Sequence, residues 1–173
     1  RIYPGKLFIL SLLIYISVAA GTFSLWSAFP DALFPIFLAY SIYHFGSSDR
    51  PRSKLLQQIA WGITAIGLPC LLAPADTFVY FNLFLLHPHS LTLINILAGL
   101  CGAALIVGTL DTEHLRDRCW TILIYGCILS FANVLCAFTF YFVFVHSKLH
   151  ERNWRGYVSK SDFVLLRGLT LIV

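Results

Sequence analysis

Two histidines four residues apart, His146 and His150, close the apolar run Phe138-Thr-Phe-Tyr-Phe-Val-Phe-Val-His-Ser-Lys-Leu-His150. On a helix, residues i and i+4 share one face. Neutral imidazole is the commonest protein ligand for a metal ion, so two rings stacked in this way can grip one ion. Ionisable side chains are costly within a membrane helix, and function is the first hypothesis for them. A third histidine, His44, ends another apolar run, Ala39-Tyr-Ser-Ile-Tyr-His-Phe-Gly-Ser-Ser-Asp49. Asp49 can accept a hydrogen bond from an imidazole and orient it from behind. Three imidazoles suit zinc or iron. No acidic residue lies inside an apolar run to add a carboxylate ligand, so the set points to iron or another nitrogen-favouring metal. The bland alternatives are an interfacial pair reaching headgroups beside Lys148 and Arg152, and a hydrogen-bonded structural role for His44. His87 and His89 flank Pro88 at a turn, and His114 sits in a charged loop; these read as structural or solvated.

The elements that must position these rings are membrane helices. Of the 173 residues, 58% are hydrophobic and 12% charged, against about a quarter charged in a soluble domain. Several stretches approach the roughly 20 apolar residues that cross a bilayer. Alternating short strands are missing, which argues against a barrel. The expected fold is all-α: one polytopic helical bundle over residues 1–173, with about six spans and a short re-entrant or interfacial helix. The net charge of +4 does not indicate a nucleic-acid partner, because the basic residues sit in short loops and carry the topology signal instead. Five cysteines (Cys70, Cys101, Cys119, Cys127 and Cys136) lack paired spacing and read as small buried hydrophobes.

Spans are expected over Leu7–Trp26, Ala32–Gly46, Leu55–Leu72 and Leu91–Leu110, with the short aromatic stretch Asp76–Pro88 too brief to cross. Cys119–His150 holds 32 residues, long for one upright helix and short for two. Charge breaks the tie. With two short spans and a turn near Ser130–Asn133, the loops carrying Arg50, Arg52 and Lys54, then Arg116 and Arg118, then Lys148 and Arg152 all lie on one side, as positive charge marks the cytoplasm. His44, His146 and His150 then lie together toward that side. With one span they would stand about 30 Å apart and could share no metal.

His44-Phe-Gly-Ser-Ser-Asp49 resembles the His-Phe-Gly-x-x-Asp motif of the bacterio-opsin-related-protein family (Brp/Blh), which are membrane β-carotene 15,15′-dioxygenases. Tyr141-Phe-Val-Phe-Val-His-Ser-Lys-Leu-His150 is similar to that family's Tyr-Phe-x-x-x-His-Ser-x-x-His. The resemblance spans about residues 30–155, including Gly67-Leu-Pro-Cys-Leu-Leu-Ala-Pro74 between the motifs. It implies one Fe(II) held by four histidines, of which His44, His146 and His150 match three. It also implies cleavage of β-carotene by O₂ into two retinal molecules, in a bacterial or archaeal cell membrane, with a retinal-binding opsin as a possible partner. The fourth ligand belongs to an earlier span and is expected before Arg1, which makes this chain the core of a larger protein. Tyr43, Phe45, Tyr141 and Phe142 are the expected lining of a substrate tunnel. Two other readings stay open: a di-iron membrane desaturase or hydroxylase, and a non-catalytic subunit that holds a pigment or lipid.

Overall fold

Proline sets where two of the helices begin. Its missing N–H is no loss in a first helical turn, and Pro30 and Pro74 open α2 (Pro30–Asp49) and α4 (Pro74–Phe81). Asp31 and Asp76 lie in their first turns, their charges complementing the positive helix ends. The computed structural model describes residues 4–85, 90–111 and 115–154, with side chains over 9–85, 90–111 and 115–152. His87, His89, His114 and the run after Trp154 lie outside these residues. The remaining helices are α1 (Pro4–Ala28), α3 (Leu55–Leu72), α5 (Ser90–Gly108), α6 (Leu115–Phe131), α7 (Val134–Phe140) and α8 (Ser147–Trp154), with a π-helical turn over Tyr141–His146. Among the described residues there is no strand, as the all-α expectation requires.

Among the described residues, three helices are long and apolar enough to cross a membrane: Ile9–Ala28 within α1, then α3 and α5. Six spans are therefore not reproduced. α2 carries Ser41, His44, Ser47, Ser48 and Asp49, and α6 has 17 residues with Arg116, Asp117 and Arg118 in its first turn. Polar residues shorten the apolar length of each. The short helix expected between the third and fourth spans is α4, eight residues long. The break expected near Ser130–Asn133 is present, since α6 stops at Phe131 and α7 starts at Val134. Asn133 causes it: its side-chain oxygen accepts from Cys136 N at 2.8 Å, an N-cap that satisfies one orphan donor of a new helix.

α3 is the centre, packed between α2 and α5. Glycine lets the backbones touch, as small residues do between membrane helices. A Cβ on Gly62 would run into the carbonyl of Ile42, and one on Gly46 into the carbonyl of Gln58. On the other side, a Cβ on Gly67 would lie 2.9 Å from the carbonyl oxygen of Leu97. One buried cluster joins Phe45, Trp61, Leu68, Tyr125 and Tyr141, and a second joins Phe34, Leu38, Cys70, Ile94 and Leu97. α1 packs on α2 alone among the stronger helix pairings and exposes most of its apolar side chains.

Candidate functional site

The histidines meet where the end of α2 passes the π-helical turn. His44 and His146 have ring centres 5.4 Å apart, and His146 and His150 have theirs 6.0 Å apart with planes inclined by 25°. Two imidazoles sharing an ion through metal–nitrogen bonds of about 2 Å have ring centres roughly 4.5–6.5 Å apart, so each pair has suitable spacing. Among the described residues, no three His, Cys, Asp or Glu side chains are gathered closely enough to hold one ion as they stand. His146 is buried, His44 half-buried and His150 exposed. Desolvation lowers the pKa of His150, with the neighbouring His146 and His44 adding to the shift and Asp49 opposing it. The neutral, ligand-competent imidazole is thereby favoured.

Asp49 organises the site. Its side chain is wholly buried, with Oδ1 2.6 Å from His146 Nδ1. Its Oδ2 accepts from the Tyr141 hydroxyl at 2.5 Å and from the Trp61 indole Nε1 at 2.9 Å. A carboxylate oxygen facing Nδ1 matches the imidazole tautomer that donates from Nδ1 and turns the Nε2 lone pair the other way. A carboxylate behind a metal-binding histidine acts in this way.

The π turn is what lets Tyr141 and His146 both reach Asp49. Five residues along an α-helix leave two side chains about 140° apart; the wider π turn returns them toward one face. Ser147 pins the turn, donating its backbone N–H and its hydroxyl to the carbonyl of Phe142, the latter at 2.9 Å. Phe45 packs edge-on against His146, with ring centres 4.6 Å apart.

A cavity of about 670 Å³ opens beside His44, within the roughly 300–1,000 Å³ usual for small-molecule pockets. Its wall is almost wholly apolar. Phe34 and Phe45 come from α2, Pro69 from α3, Phe81 from α4, and Phe138 from α7. Phe37, Leu83 and Leu135 line it and are also exposed on the outer surface, so it reaches the apolar exterior. Of the expected tunnel residues, Phe45 and Phe142 line this cavity. Tyr43 and Tyr141 do not: Tyr43 lies on the exposed face of α2, and the π turn carries Tyr141 to Asp49. Sequence reasoning misses Trp61, whose link to Asp49 crosses a turn and follows no short motif.

The family model for β-carotene 15,15′-dioxygenase matches residues 3–154, and the chain belongs to that family. No curated protein and no solved structure matches it.

Proposed function

We propose that this member of the family cleaves β-carotene, or a closely related carotenoid, with O₂ to give retinal. His44, His146 and His150 would hold Fe(II) as three of its ligands. The observation that carries this reading is the buried Asp49 behind His146 Nδ1, which readies the opposite ring nitrogen for a metal beside an apolar cavity. The chemistry of the donor set fits iron: imidazoles adjacent in pairs, two of them on partly or fully accessible side chains that can rotate toward a shared ion. Iron, when bound, supplies the activation of O₂.

The remaining work falls to the protein. His44 lies both beside His146 and in the cavity wall, so a polyene in the cavity passes next to the rings. The aromatic wall excludes water and holds the chain straight by contact alone. Openings at Phe37, Leu83 and Leu135 suit entry from the bilayer, where a carotenoid is dissolved. Each half of the cleaved double bond takes one oxygen atom, giving two retinal molecules per O₂. A retinal-binding opsin would be a natural receiver. By the positive-inside rule, the basic loops support a position for the histidines toward the cytoplasmic side of a cell membrane.

The test is to purify the protein from membranes, load it with Fe(II), supply β-carotene in detergent micelles, and quantify iron and retinal. One iron per chain with retinal as the product is expected. Protein that binds β-carotene, takes up no stoichiometric iron and leaves the polyene uncut would establish the pigment-holding reading instead. Two irons per chain would favour the di-iron one.

A further inference from the structure

Trp61 is among the most deeply buried residues of the protein, 2% exposed. A buried indole N–H needs an acceptor, and here the acceptor is Asp49 Oδ2 at 2.9 Å. The indole is itself held. The Arg50 guanidinium lies 4.6 Å from its ring centre and that of Arg118 lies 5.5 Å away. Arg118 is buried and donates to the carbonyl of Ala104 at 3.2 Å. It fills the space where a Cβ on Gly108 would be. Gln58 Nε2 donates to the carbonyls of Arg50 and Ser53 at 2.9 and 3.1 Å, which fixes the turn that carries Arg50. Trp61 is thus clamped by side chains from α6 and from the turn after α2, and it presents a single N–H to Asp49.

The consequence lies at the other oxygen. Trp61 and Tyr141 together hold Oδ2 from two elements, α3 and the π turn. Two donors on one carboxylate oxygen leave the group little freedom to swing, so Oδ1 stays aimed at His146 Nδ1. We propose that Trp61 is a positioning residue that aims the free nitrogen of His146 through Asp49. This rests on the reading of His146 as a metal ligand. The plain alternative is that Trp61 fills the core, where its indole also packs near Tyr141.

A double-mutant cycle separates the two, because coupling appears only between groups that act on each other. Trp61→Phe keeps an aromatic ring and removes the N–H. Co(II) binding is read from its absorption in detergent for the wild type, Trp61→Phe, Asp49→Asn and the double variant. Trp61→Phe is expected to weaken Co(II) binding about tenfold, in the range seen when an outer partner of a metal-binding histidine is lost. In the Asp49→Asn background the same change is expected to alter affinity less than about twofold. Equal losses in both backgrounds, or no loss in either, would overturn the proposal and leave Trp61 as core. Failure of the wild type to bind Co(II) would instead overturn the metal reading on which it rests.

Should Trp61→Phe fail to fold, the wild type decides. The indole ¹⁵N–¹H resonance of Trp61 is expected to move on addition of one equivalent of Zn(II), while that of Trp26, remote from Asp49, stays in place. A Trp61 resonance unmoved by bound Zn(II) would overturn the proposal.

Discussion

Asp49→Asn removes one charge and almost no volume, and its effect can be worked through atom by atom. The carboxylate receives three donors: Trp61 Nε1 and the Tyr141 hydroxyl on Oδ2, and His146 on Oδ1. Asparagine offers one acceptor oxygen and an NH₂ that only donates. If that oxygen stays with Trp61 and Tyr141, the NH₂ confronts His146 Nδ1. The imidazole must then accept at Nδ1 and carry its proton on Nε2, the nitrogen meant for a metal. The opposite orientation sets the NH₂ against two buried donors and is worse. Binding a metal then requires restoring the Nδ1 proton and leaving two donors face to face. The loss of a hydrogen bond to a charged group is worth about 1.5–3 kcal/mol. At 1.4 kcal/mol per factor of ten, that is a loss of about 10–100-fold in metal affinity. The assay is a Co(II) titration followed by absorption, with helix content measured by circular dichroism as the folding control. Wild-type affinity in a folded Asp49→Asn protein would refute the reasoning, because it would mean that Nδ1 of His146 does not need a proton acceptor.

Three further outcomes are expected. Deleting Val143 closes the π turn to an α turn that still carries Tyr141 and His146 on one face, now four residues apart, so bound iron and the helix content measured by circular dichroism should both be kept. Ser41→Phe places a ring in the cavity wall, where Ser41 is buried; turnover of β-carotene should fall at least tenfold with iron content unchanged. Gly62→Ala drives a Cβ into the Ile42 backbone, which cannot swing aside, and overpacking of this kind costs about 1–3 kcal/mol; a lower melting temperature in detergent is the readout.

Much of this arrangement is written in short-range patterns. The i, i+4 spacing of His146 and His150 places them on one helix face, and Asn133 marks a helix start where charge demanded a break. The charge count set His44 on the side of His146, where the structure finds the two rings 5.4 Å apart. The motif around His44 carried Asp49 with it. What stayed hidden is long-range or conformational. A π turn differs from an α turn by one residue of register and has no composition of its own, so the sequence alone does not reveal the bond from Tyr141 to Asp49. Trp61 joins Asp49 from a neighbouring helix, a pairing that depends on the glycine-mediated approach of α2 and α3 at Gly46 and Gly62. Among the described residues three of the six expected spans are long and apolar enough to cross, because polar residues shorten the apolar length of the others. α2 and α6 illustrate this, since each mixes apolar residues with polar ones that the interior accepts.

The most direct measurement is an anaerobic Fe(II) titration of the purified full-length protein and of His44→Ala, His146→Ala and His150→Ala, with bound iron counted per chain. One iron in the wild type, and none retained by any of the three folded variants, is the expected result. Stoichiometric iron surviving the loss of His146 would contradict the account, because the nitrogen that Asp49 prepares would then have nothing to hold.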